Sequence, residues 1–315
     1  MITSFFRTSK PLHYLIFLVL FFAIFVFQSF YNHNINQSPI SYLTLFGVFF
    51  LFLVTFFVYV FIITKNDLTQ KNSFAALYLC LFIGILPQFF LTPIVMLSNL
   101  FVLLGLRRIF SLKKNLNTKK KLFDAGFWIA LATIFYPWSV LYFVPLFVAI
   151  LMITSDYFKN TFAVFFGALS VSLTAFFYIF FLNKDFDIWL KLMPQINLDL
   201  SIYYDLITFF PLAILLISSL WGISSLFNKM VFKTSKSRFV YFILFSALVI
   251  GLIIPLVSEN KSMADFIFLV FPLAIVMANN TEQTHSQWLP SVFILLLFAT
   301  AVLKTVLNIQ NLLNF

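Results

Sequence analysis

The chain is 315 residues long, 62% hydrophobic and 10% charged, where an ordinary soluble protein carries about 25% charged residues. That excludes a soluble globular protein, and at roughly 20 residues per spanning helix such a length holds about ten crossings with short loops and no separate soluble domain. The 20 Lys and Arg against 10 Asp and Glu, net +10, sit beside apolar runs without interleaved aromatics, so topology and anionic headgroups account for the excess and nucleic acid is excluded as a partner.

Arg7 and Lys10 precede an apolar run from Leu12 to Tyr31 that is too long for a signal peptide and ends without a small-residue cleavage site, so it reads as a retained first span. Ser41 to Thr64 is the second span. The third, Ser73 to Leu86, and the fourth, Pro93 to Phe110, meet at an uncharged corner, Pro87 to Thr92. The basic loop from Arg107 follows, with Arg108, Lys113, Lys114, Lys119, Lys120 and Lys121. It marks the cytoplasmic side and faces anionic lipid. Asp124 reads as an N-cap or first-turn acid of the next helix.

Ala125 to Ser155 is too long for one crossing, and Pro137 splits it into two helices, since proline removes a donor and disfavours the helical state before it. Further spans run over 161–182, 206–227, 239–257, 262–278 and 288–307. The fold class is therefore all-α: a polytopic membrane bundle of about 11 transmembrane helices in a single transmembrane helical domain, residues 1–315. With the basic loop inside, sixteen Lys and Arg fall on inner segments and four on outer ones. This places the N-terminus inside and the C-terminus outside. Two inner turns echo each other, Asp67 with Lys71-Asn72-Ser73 and Asp156 with Lys159-Asn160-Thr161; Ser73 and Thr161 read as helix caps.

The outer face collects Asp185, Asp187, Asp199, Asp205, Glu259 and Asp265 with Lys184, Lys191 and Lys261. A carboxylate there suits general-base work and a lysine suits phosphate; equally, Asp187 with Lys191 and Lys261 with Asp265 have the i,i+4 spacing of plain helical ion pairs. Asp265 stands out because it lies at the mouth of a span, where ionisable groups are costly. Lys304 reads as a lysine snorkelling from a helix end. His13, His33 and His285 are scattered, and no Cys/His metal spacing or phosphate-binding glycine loop is present, so neither a metal nor a cofactor is expected. The single Cys80 excludes an internal disulfide.

Three stretches together resemble the membrane glycosyltransferases of the C-type fold: Asn99 to Arg108 closing a compact hairpin, Phe123 to Ala132 leading into a proline-broken stretch, and Lys261 to Ala274 running from lysine to proline. The pattern is also similar to a family of uncharacterised Bacteroidota multi-pass membrane proteins. The resemblance implies a bacterial inner-membrane enzyme using a polyprenyl-phosphate-linked sugar at the outer face. Lys261 would hold the lipid phosphate, with Asp265, Asp185 or Asp187 near the reacting centre. Those enzymes carry an acidic motif in the first outer loop; here that loop, Asn32 to Pro39, has no carboxylate. His33 stands there as the candidate substitute, against the plainer reading of a headgroup-level polar residue. The alternative is a non-catalytic or degenerate membrane subunit that binds lipid or a partner membrane protein.

Overall fold

The computed structural model describes residues 2–36, 42–153, 156–181, 193–232, 235–259, 261–284 and 288–313. They form helices α1 (Ile2–Phe6), α2 (Pro11–Asn36), α3 (Tyr42–Asn66), α4 (Phe74–Ile85), α5 (Pro93–Ser111), α6 (Thr118–Phe135), α7 (Phe143–Ile153), α8 (Tyr157–Phe181), α9 (Leu206–Phe232), α10 (Ser235–Val257), α11 (Ile267–Gln283) and α12 (Trp288–Leu313). No strand occurs among the described residues. Among the described residues, eight helices are long and apolar enough to cross a membrane; Phe74–Ile85 and Pro137–Met152 are apolar but shorter. The chain divides into two compact units, Met1–Pro93 with Asp199–Ser225 and Ser262–Phe315, and Ile94–Leu198 with Leu226–Lys261.

In the first unit α4 and α11 pack on each other at the centre, with α12 and α2 against α4. Every residue of α4 is buried, as are residues 267–280 of α11. Neither sequence has a polar face over that stretch, and a helix apolar all round has no side to give to water. The surrounding helices turn large side chains outward instead, among them Leu43 at 77% exposed and Phe46 at 68%. Outward-facing apolar surface on this scale is what a protein solvated by hydrocarbon presents.

The second unit is built on the pairing of α6 with α8, its most extensive helix contact. Glycine sets the distance. A Cβ on Gly167 would sit 2.2 Å from the Phe123 carbonyl oxygen, and one on Gly126 would sit 2.6 Å from that of Val164. Small residues that let two backbones touch are the usual device where lipid, as apolar as leucine, gives no hydrophobic drive to association. On its other side α8 exposes Phe158, Phe165, Phe166 and Phe181.

The break at Pro137 falls where the sequence places it. α6 stops at Phe135, Tyr136 is extended, and a 3-10 turn, Pro137–Tyr142, leads into α7. The Ser98 hydroxyl donates to the Ala132 carbonyl at 3.0 Å and meets the Ser139 hydroxyl at 2.6 Å, so side chains cover the interrupted end.

Other local expectations change. α6 begins at Thr118 rather than Ala125, because α5 ends in a short 3-10 turn, Leu112–Lys114, and Asn115 and Asn117 reverse the chain at φ near 50°. Asp124 is therefore interior to α6, where it pairs with Arg108 at 2.9 Å instead of capping. Ser73 precedes α4 without a side-chain cap bond, and its hydroxyl meets His13 Nδ1 at 2.9 Å; Asn72 Oδ1 accepts the Phe74 N–H. Thr161 lies inside α8, which starts at Tyr157. Lys304 is buried, since α12 runs on to Leu313 and leaves it short of the helix end.

Candidate functional site

Lys261 closes a small knot in the second unit. Its ammonium donates to the backbone carbonyls of Ser258, at 3.0 Å, and of Asn197. The stretch that carries Asn197 is itself tied down, with Asn197 N–H donating to Val257 O and its side-chain amide to Glu259 O. The result is a lysine only 9% exposed. Its ammonium has three N–H donors, and two of them are directed at carbonyls. Met193, Ile196 and Leu198, on the same stretch as Asn197, stay largely exposed.

Asp265 has a different task in the first unit. It is the third residue of the 3-10 turn Met263–Phe266 that leads into α11, and Ser262 is the cap. Ser262 donates its N–H to Asp265 Oδ2 at 3.0 Å and its hydroxyl to Oδ1 at 3.2 Å. This is a capping acid, buried to 1% exposure. Tyr203 packs edge-on to Phe266, and burial, then the Asp265 charge, push its phenol well above the usual tyrosine range. Ser262, between Lys261 and Asp265, is extended, so the two residues are not spaced along one helix.

The basic loop is more compact than its composition suggests. Arg107 and Arg108 belong to α5, Lys113 and Lys114 to the 3-10 turn, and Lys119, Lys120 and Lys121 to the first turn of α6. Lys121 donates to the Ser111 carbonyl at 2.7 Å. Partial burial, then the charges of Arg108 and Lys114, hold its ammonium below the ordinary lysine range. Lys114, Lys119 and Lys120 are exposed.

The richest polar construction lies at the other end of α11. Residues 279–282 step around the helix by about 100° each, and together they engage three segments of the first unit. Asn279 donates to the Leu68 carbonyl, Asn280 accepts from Ser225, Thr281 meets the Tyr78 hydroxyl at 2.6 Å, and Glu282 accepts from Asn72 at 2.6 Å and from the Gln70 N–H. Hydropathy ends this span at Ala278, and the helix runs on to Gln283. The available signal is a run of polar residues without Gly or Pro directly after the apolar stretch.

Among the expected site residues, Lys261 and Asp265 each sit in a built environment of their own. Asp185 and Asp187 lie outside the described residues. His33 falls near the end of α2, and its side chain is likewise outside what is described.

Residues 7–312 match the model of a family of unknown function, DUF6427, and the chain belongs to that family. No curated protein and no solved structure matches it.

Proposed function

We propose that this member of a family of unknown function is a multi-pass protein of the bacterial inner membrane, with about 11 membrane helices, N-terminus inside and C-terminus outside, that engages a polyprenyl-phosphate-linked sugar at the outer face in the manner of C-type glycosyltransferases. The observation that carries this is Lys261. A buried ammonium with two donors fixed on carbonyls and the third directed at no described residue is a ready partner for one phosphate oxygen. The exposed Met193, Ile196 and Leu198 on the adjoining stretch suit an isoprenoid chain. Asp185 and Asp187 then supply the carboxylates near the reacting centre, with His33 at the end of α2. The exposed lysines of the basic turn fix the orientation and bind anionic lipid.

A second reading, a non-catalytic subunit that binds lipid or a membrane-protein partner, is favoured by Asp265. Both of its oxygens accept from Ser262, which suits a role in starting α11.

Native mass spectrometry of the protein in nanodiscs with added polyprenyl phosphate tests both. Retention of the lipid by the wild type and by Lys261→Arg, but not by Lys261→Ala, is the expected outcome. Release of sugar from a labelled polyprenyl-phosphate sugar, lost in Asp185→Asn with Asp187→Asn, selects the enzyme; retention without release selects the subunit. Equal retention by Lys261→Ala rules out the site.

A further inference from the structure

The first unit holds a second feature that the reading of Lys261 does not use. Between the start of α2, the end of α3, the connecting loop and the start of α4 lies a cavity of about 480 Å³. That is within the range of roughly 300–1,000 Å³ typical of small-molecule sites. One wall is apolar, from Val60, Ile63, Ala75 and Ala76; Thr8, Ser9 and Tyr14 supply hydroxyls; Asp67 and Lys71 bring one charge of each sign.

The loop that carries those charges is held from beneath. α3 ends in a Schellman turn, with Asp67 left-handed at φ 50° and the Leu68 N–H on the Ile63 carbonyl. Asn279 holds the Leu68 carbonyl, while Glu282 takes the Gln70 N–H and the Asn72 amide. Yet neither Asp67 nor Lys71 forms a side-chain hydrogen bond or an ion pair among the described residues, with each other or with anything else. The left-handed position would be relaxed by glycine; an aspartate there costs stability that no contact of its carboxylate repays. A fixed loop thus presents two opposite, uncommitted charges to a cavity with an apolar back wall.

We infer that this cavity binds a phosphoethanolamine group, with Lys71 on the phosphate, Asp67 on the primary ammonium, and the apolar wall of α3 and α4 against the attached chains when the group belongs to a lipid. The balanced lining favours a zwitterion over an anionic headgroup. A choline headgroup lacks the N–H that Asp67 would accept.

The full chain, reconstituted in phosphatidylcholine nanodiscs containing either phosphatidylethanolamine or phosphatidylglycerol and then taken into detergent, is read by native mass spectrometry for retained lipid. Phosphatidylethanolamine is retained in preference to the other two. Asp67→Gly lowers that retention roughly three- to tenfold, the effect of one partly exposed charge-assisted contact, while thermal unfolding is unchanged or later because glycine suits the left-handed position. Lys71→Gln lowers retention of phosphatidylethanolamine and phosphatidylglycerol alike, and Asp67→Glu keeps most of the phosphatidylethanolamine retention. Displacement of the lipid by free O-phosphoethanolamine shows that the headgroup alone suffices; failure to displace it assigns the site to the intact lipid. Undiminished phosphatidylethanolamine retention by Asp67→Gly, or a preference of the wild type for phosphatidylglycerol, overturns the inference. Lys261→Ala leaves this readout untouched, so the two sites fail separately.

Discussion

Replacing Gly167 with alanine tests whether backbone contact between α6 and α8 holds the second unit together. The new Cβ would lie 2.2 Å from the Phe123 carbonyl oxygen and 3.0 Å from the Phe127 nitrogen, both backbone atoms that no rotamer change can move. Ordinary contact requires about 3.4 Å or more, so α8 must withdraw by roughly 1 Å, and such a gap forfeits a quarter to a half of each dispersion contact along the seam. Overpacking of this kind costs about 3 kcal/mol, at the upper end of its usual range. Alanine's helix preference returns about 1 kcal/mol, leaving a net loss near 2 kcal/mol. Gly47, in α3, is the control, since a Cβ there meets nothing within 4 Å. Gly47→Ala should be neutral or stabilising by up to about 1 kcal/mol. Unfolding in mixed micelles with increasing dodecyl sulfate, followed by far-ultraviolet circular dichroism, measures both. If Gly167→Ala unfolds at the same denaturant fraction as Gly47→Ala, the close packing of α6 on α8 is refuted.

Three further outcomes follow from individual contacts. Arg108 and Asp124 are each about a third exposed, so a double-mutant cycle with Arg108→Gln and Asp124→Asn should give a coupling of about 0.5 kcal/mol that fades with added salt; a coupling above about 2 kcal/mol would contradict the exposure. Ser262→Ala should cost about 1 kcal/mol through loss of its hydroxyl bond to the buried Asp265, and Asp265→Ala about 1–3 kcal/mol by leaving the Ser262 N–H without its acceptor, both read in the same micelle titration; no loss in either would show that these bonds do not hold the start of α11. Tyr203 is raised by burial and then by Asp265, so above about pH 10 the unfolded chain gives up a proton that the folded chain keeps. Folded stability from this group is complete below that pH and declines as pH rises through the folded value. Tyr203→Phe should shallow the alkaline decline in micelle stability, and an unchanged slope would show that Tyr203 titrates alike in both states.

How much of this was legible depended on whether a signal was local. The apolar runs gave the helices, and Pro137 gave the break between α6 and α7, because a missing N–H and the extended residue before it are written into the dipeptide. Where hydropathy and hydrogen bonding part company, reading by hydropathy stopped short: α11 continues to Gln283 because Asn279, Asn280, Thr281 and Glu282 all find partners brought from elsewhere in the first unit. That Lys261 and Asp265 do not share a helix was hidden for a related reason. Spacing of four means contact only on a helix, and nothing in Lys-Ser-Met-Ala-Asp announces that Ser262 is extended. Gly126 and Gly167 carried no warning of their role either, since a close approach is a property of two segments at once.

The two ends of α11 separate charge used for structure from charge left for something else. At the start, Asp265 accepts two bonds from Ser262 and begins α11. At the finish, Asn279 and Glu282 are spent on holding residues 68–72, which fixes where Asp67 and Lys71 stand without engaging either one. A loop stabilised only for the sake of the fold would gain by turning those two charges on each other or by carrying glycine at the left-handed position. The arrangement does neither, and the cavity beside α3 is where we place a zwitterionic headgroup.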